Sequence, residues 1–149
     1  MVSKNGLNII KKYEGFRNHP YLCAAGIPTI GYGNSYYLDG RKVKLTDEPI
    51  TIKDAEKLLK SILNEFEKGI NKVVNVRLNQ NQFDAVVSFT YNVGIGAFIS
   101  STLLRKININ PNDESISHEF KKWNKVNGIV MKGLKKRRNE ESYLYQQNN

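Results

Sequence analysis

The sequence predicts an α+β fold, with a small β region near the N-terminus, a mostly helical remainder, and one long helix joining them. Glycine and proline crowd into residues 13–34, where Gly15, Pro20, Gly26, Pro28, Gly31 and Gly33 suit tight hairpins rather than a helix. Apolar residues then recur at helical spacing from Ala55 through Leu58, Leu59, Ile62, Phe66 and Ile70 to Val73. Beyond them helical patterns alternate with short turn signals. At 149 residues the chain is expected to be one domain with enough length to bury a core.

Taken in order, Ser3 is placed to cap a first helix running to about Tyr13, with Leu7, Ile10 and Tyr13 as its apolar face. Gly15 is well placed to stop it. That leaves Glu14 at a helix C-terminus, where the dipole disfavours the charged carboxylate and favours the protonated form a general acid needs. Residues 16–21, 28–32 and 38–43 read as short strands, with Asp39-Gly40 as a hairpin turn. Residues 45–50 form a loop containing Pro49. Thr51 caps the long helix, with Asp54 at the third position. To Val74 it would be roughly 35 Å long at 1.5 Å per residue. A helix of that length can bridge a β lobe and a helical lobe, and a cleft between them would suit an extended polymer.

Asn79 reads as the next cap, with Gln82 three residues on. Phe83, Ala85, Val86, Val87, Phe89 and Val93 make the following helix apolar on nearly every side, which places it in the core. Gly94 and Gly96 end it. Residues 101–107 form a short helix, Pro111 and Asn112 a linker, and Asp113 caps a helix through Trp123 whose apolar positions are Ile116, Phe120 and Trp123. Trp123 is expected in the core. Asn127-Gly128 is a turn and 134–145 the closing helix. The expected organisation is a single domain over 1–149: β lobe about 15–50, bridging helix about 52–74, and a helical lobe about 75–146 that includes the N-terminal helix.

The 23 basic residues outnumber the 14 acidic ones, for a net charge of +9. This favours an anionic partner (nucleic acid, an acidic membrane face, or the bacterial wall) without choosing among them. The single cysteine, Cys23, excludes an intrachain disulfide and a cysteine-based metal site. His19 and His118 lie far apart, and no metal site is expected. Leu7, Ile9 and Ile10 are too few for the core of a signal peptide, and Lys11 and Lys12 follow at once. Residues 85–104 carry no charge over about the length that spans a bilayer. Ser88, Thr90, Asn92, Ser100, Ser101 and Thr102 are polar, however, and Gly94 and Gly96 interrupt the run, so a buried helix plus turn is expected. Lys121, Lys122, Lys125, Lys132, Lys135, Lys136, Arg137 and Arg138 read as a solvated face able to hold anionic wall polymers or nucleic acid.

Glu14, Cys23 and Thr29 stand in the spacing Glu-x8-Cys-x5-Thr, flanked by Tyr13-Glu14-Gly15-Phe16 and Thr29-Ile30-Gly31-Tyr32-Gly33. Spacing and flanks together resemble the catalytic triad of the phage-type lysozymes, glycoside hydrolase family 24. The resemblance continues through 81–94, Phe98, Ser101 to Leu104, Lys122-Trp123, and the Gly133-Leu134, Arg137-Arg138 and Glu140 signature, covering about residues 6–144.

That resemblance implies a lysozyme-like fold with the substrate cleft between the lobes. It also implies hydrolysis of the β-1,4 bond between N-acetylmuramic acid and N-acetylglucosamine in peptidoglycan. Glu14 would be the general acid. Cys23 sits where many relatives carry Asp to assist the attacking water or stabilise charge on the sugar, and Thr29 helps place the water. A free thiol, with a pKa of about 8.5, is mostly protonated at neutrality, although His19 or Arg17 nearby would lower that value. Water positioning, charge stabilisation and covalent attack on the anomeric carbon stay open for Cys23. The family implies inversion. Tyr91 and Ser101 match an aromatic and a hydroxyl that contact the glycan in relatives, and Arg137 or Arg138 matches an arginine that approaches the acid. Asn34 departs from the histidine common after Gly-Tyr-Gly.

The biology implied is that of an endolysin, collecting in the host cytoplasm until a membrane pore (a holin) admits it to the wall. It would act as a monomer on peptidoglycan, with no cofactor, no nucleic-acid partner and no stable membrane insertion. The competing readings are a wall-binding protein made inactive by Cys23, a basic nucleic-acid binder, and a lytic transglycosylase.

Overall fold

The computed structural model describes residues 1–148. Among them the elements run α1 (Lys4–Glu14), β1 (Arg17–Leu22), β2 (Pro28–Gly31), α2 (Ile52–Val73), α3 (Gln80–Val93), α4 (Ile95–Ile99), α5 (Thr102–Ile109), α6 (Ile116–Lys121), β3 (Lys125–Val126), β4 (Ile129–Val130) and α7 (Lys132–Gln146). The chain gathers into two compact units, Lys11–Glu65 and Met1–Ile10 with Phe66 onwards. The division falls inside α1 and inside α2.

In the unit Lys11–Glu65, β1 and β2 pair antiparallel. Arg17 stands opposite Gly31, Tyr21 opposite Thr29 and Leu22 opposite Pro28, with an irregularity between Arg17 and Tyr21. Side chains alternate across a ladder, so Tyr21 and Thr29 share a face. The third strand expected over 38–43 does not form. Its turn does: the Tyr37 N–H donates to the Arg41 carbonyl at 2.9 Å, the Gly40 N–H donates to the Tyr37 carbonyl at 3.0 Å, and Gly40 adopts φ +82°. Pairing stops at one isolated bridge, Tyr36 to Lys42. Tyr36 and Leu38 are exposed, so the segment has no continuous apolar face to extend the ladder. Ile30, Val43 and Leu58 make the small core, with Tyr37 and Ile50 packed on it. Thr51 caps α2 as expected, its Oγ1 accepting from the Asp54 N–H at 3.1 Å.

In the other unit, Ser3 caps α1, its Oγ accepting from the Asn5 N–H at 3.1 Å. The Ser3 N–H and hydroxyl both donate to the carboxylate of buried Asp84. Gly6 is required here, because a Cβ at that position would lie 2.6 Å from Val2 and 2.8 Å from Asp84. Asn79 and Gln82 form the reciprocal capping box that the sequence signals. Phe89 on α3 sits among Phe98, Phe120 and Trp123 at ring separations of 6.4, 5.3 and 5.6 Å.

Three boundaries differ from expectation. Gly94 ends α3 as expected, but α4 begins at once at Ile95, takes in Gly96 and buries Phe98. Asp113 does not cap α6; it accepts the Ser115 N–H at 2.8 Å in the preceding turn, and α6 begins only at Ile116. Around Asn127-Gly128 the two-residue strands β3 and β4 pair, Val126 facing Ile129 and Lys125 facing Val130. Both turn residues have positive φ, +50° and +79°, the conformation that suits a tight two-residue hairpin. No helix among the described residues is long and apolar enough to cross a membrane.

Candidate active site

Residues Glu14, Cys23 and Thr29 all fall in the unit Lys11–Glu65. Glu14 is the last residue of α1 and half-buried. Gly15 ends the helix at φ +69°, its N–H donating to the Lys11 carbonyl at 3.0 Å. β1 leads from there to Cys23, which opens the turn into β2. The turn closes on itself: the Cys23 N–H donates to the Ile27 carbonyl at 3.0 Å and the Gly26 N–H to the Cys23 carbonyl at 2.8 Å.

This turn holds the thiol. The backbone N–H groups of Ile27 and then Ala25 aim at the sulfur and hold its pKa below the ordinary thiol value, with the Thr29 hydroxyl adding to the effect and desolvation opposing it. N–H dipoles directed at one atom stabilise negative charge there, and a depressed pKa is what makes a cysteine reactive. The sequence had pointed to His19 or Arg17 as the source; the leading causes are backbone dipoles instead. Thr29 is buried, and its Oγ1 also donates to the Ile27 carbonyl at 2.8 Å. A hydroxyl carries one proton, so the Ile27 carbonyl and the Cys23 sulfur compete for it.

Tyr21 responds electrostatically to both ends of this arrangement. Its phenol pKa is raised, first by burial, with Arg17 opposing and both Glu14 and Cys23 adding to the rise. Acid and thiol thus both act on one phenol. Arg17 stacks on the Tyr21 ring, its guanidinium carbon 4.4 Å from the ring centre. Sequence reading had not singled out Tyr21. The two-residue period Arg17, His19, Tyr21, Cys23 was the available signal.

Tyr91 and Ser101 lie in the other unit. Tyr91 meets Phe66 edge-on at 5.4 Å. Ser101 is buried and caps α5: its Oγ accepts from the Leu104 N–H at 3.0 Å and donates to the Phe98 carbonyl at 2.6 Å. Arg137 and Arg138, read as part of a solvated face, are buried. Arg137 Nε lies 3.0 Å from Glu141 Oε1, and Arg138 Nε lies 2.8 Å from Glu141 Oε2. The Ser88 hydroxyl donates to Oε1 at 2.7 Å. This network was not anticipated, because nothing in a run of charges marks which ones turn inward. Among the described residues no group of three or more His, Cys, Asp and Glu is placed to hold a metal ion.

A helix-end carboxyl and a thiol–hydroxyl pair on a two-stranded hairpin, in a chain that is otherwise mostly helical, fit a lysozyme-like α+β protein. The phage lysozyme family matches residues 11–141, and the chain belongs to that family. It is 43% identical over 149 residues to the endolysin of Bacillus phage B103, covering 97% of this chain and 53% of that one. It is 39% identical to the endolysin of Acyrthosiphon pisum secondary endosymbiont phage 1, covering 97% of each. The chain therefore spans about half the length of the Bacillus phage relatives it matches. A crystal structure of a P22 lysozyme mutant superposes with a TM-score of 0.88 at 36% identity over 99% of both chains.

Proposed function

We propose that this protein is a lysozyme that hydrolyses the β-1,4 bond between N-acetylmuramic acid and N-acetylglucosamine in peptidoglycan, in the service of phage-induced host lysis. The observation that carries the reading is the family match over 11–141, which contains Glu14, Cys23 and Thr29 in the triad spacing. Glu14 gives its proton to the glycosidic oxygen as the bond to the anomeric carbon breaks. On the far side of the sugar, the Cys23 sulfur and the Thr29 hydroxyl hold the attacking water. With its pKa lowered, Cys23 can also take the proton that the water loses. Tyr91 contributes an aromatic contact to the glycan, and Ser101 acts through the helix start that it caps.

Mass analysis of fragments from purified peptidoglycan tests this. Wild-type protein should release muropeptides ending in reducing N-acetylmuramic acid, and Glu14→Gln should lose about 10²–10⁴-fold in turnover while melting at an unchanged temperature. Anhydro ends would assign the reaction to a lytic transglycosylase. Binding to walls without fragment release would make the chain a wall-binding module. In the infected cell the protein accumulates in the cytoplasm as a monomer and depends on a membrane pore for access. Fractionation of infected cells with and without the pore protein checks that dependence.

A further inference from the structure

The β3–β4 hairpin lies outside the chemistry described so far and has an unusual surface. In the ladder Val126 stands opposite Ile129, and side chains two residues apart along a strand share a face. Val126, Ile129 and Met131 therefore form one aliphatic blade, exposed by 49%, 68% and 45%. The strand pairing extends to Met131. The Met131 N–H donates to the Asn124 carbonyl at 2.8 Å, and the two positive-φ residues at the turn fix the tip. Lys125 and Val130 occupy the opposite face.

The charges flanking this blade in sequence are all of one sign. From residue 120 to residue 139 there are eight basic side chains and no acidic one. Arg137 and Arg138 turn inward to Glu141. Lys121, Lys122, Lys125, Lys132, Lys135 and Lys136 remain exposed, and of these Lys122 pairs with Glu119 at 2.9 Å.

We propose that this hairpin docks the protein on an anionic phospholipid surface, with Val126, Ile129 and Met131 entering the headgroup–acyl boundary while the surrounding lysines engage lipid phosphates. An aliphatic face rimmed by lysine is the composition that binds such an interface. A saccharide surface would call for flat aromatic faces and hydrogen-bonding side chains. The blade has none of the former, and the nearby Trp123 is packed against Phe89. The docking is peripheral, consistent with the lack of a membrane-length apolar helix among the described residues. It does not depend on the enzymatic reading above.

Vesicle sedimentation with the whole chain tests the proposal, using phosphatidylcholine alone and an equimolar mixture of phosphatidylglycerol and phosphatidylcholine. Wild-type protein should pellet with the anionic vesicles and stay in solution with the neutral ones. Ile129→Asp should reduce the pelleted fraction about tenfold or more, and the milder Ile129→Thr, which keeps strand propensity, should reduce it less. Replacing Lys132, Lys135 and Lys136 by Gln should weaken binding and flatten its salt dependence. Clearing of detached peptidoglycan should be unchanged in both Ile129 variants. Equal pelleting with neutral vesicles would overturn the proposal, as would pelleting indifferent to both Ile129 variants. Loss of retention on isolated walls with vesicle binding intact would assign the hairpin to the wall instead.

Discussion

Cys23 and Glu141 are both ionisable groups under strong local influence, exerted by opposite means. Cys23 is half exposed, and its sulfur is stabilised first by backbone N–H groups of a five-residue turn. Glu141 is completely buried, and side chains do the work: Arg137, Arg138 and the Ser88 hydroxyl all converge on it. Burial pushes the Glu141 pKa up, and the two guanidiniums oppose that. Backbone dipoles leave the thiol accessible and its far side open to a ligand. The buried network instead draws its groups from two helices, Ser88 on α3 and Arg137, Arg138 and Glu141 on α7. The first arrangement suits a reaction and the second suits holding α7 to α3.

The comparison predicts that removing Glu141 damages folding and removing a neighbour of Cys23 damages turnover. Glu141→Ala leaves two guanidiniums buried without their shared carboxylate, and stranding a buried charge typically costs about 3–5 kcal/mol. Thermal or urea unfolding should show a loss of that size. A loss under about 1 kcal/mol would mean that water or another acceptor relieves the arginines, and the contrast between the two regions would weaken.

Thr29→Ala should have the reverse profile. The hydroxyl is one of the groups that lower the thiol pKa, so its removal should raise the pH at which Cys23 reacts with iodoacetamide. If Thr29 also places the attacking water, turnover on peptidoglycan should fall about 100-fold, the cost of a misplaced reacting group, with little change in melting temperature. Normal turnover together with a shifted alkylation profile would separate the two roles and leave Thr29 as a partner of the thiol alone.

This same contrast explains what the sequence could and could not disclose. That Glu14, Cys23 and Thr29 fall in one unit was legible because they lie within sixteen residues of one another. The caps at Thr51 and Asn79 were legible for the same reason, since a cap and its partner sit three residues apart. The hold of the turn on Cys23 was not, because the N–H groups that exert it belong to Ala25 and Ile27 whatever their side chains. Nor was the Glu141 network. Ser88 lies 53 residues from Glu141, and only packing of α3 on α7 reveals that two members of a basic run are interior. The strand expected over 38–43 failed because pairing depends on the apolar face available to it, which alternation in a six-residue window does not establish.

The smallest expected effects are in pH dependence, where the two kinds of site occupy different windows. Lys44's backbone N–H and then the Tyr37 hydroxyl hold the Asp47 carboxyl below its ordinary range. Burial pushes Glu119 up, but its pairs with Lys122 and Lys106 outweigh this and leave it lowered. For both, the unfolded chain binds protons more readily than the folded one. Their contribution is therefore complete above the unfolded carboxylate range, at about pH 4, and fades as pH falls through the folded values. Cys23 obeys the same rule at a higher pH. Its thiol is lowered in the fold, so its contribution is complete above the unfolded thiol value of about 8.5 and is lost as pH falls through the folded one. Melting temperatures of the wild type and Cys23→Ala should therefore diverge in favour of the wild type as pH rises from neutral into the alkaline range. The difference between wild type and Asp47→Asn should instead be flat there and shrink only in acid. Parallel alkaline curves for wild type and Cys23→Ala would mean that the N–H groups of the turn do not stabilise a thiolate, and the distinction between the Cys23 turn and the carboxylates would lose its clearest support.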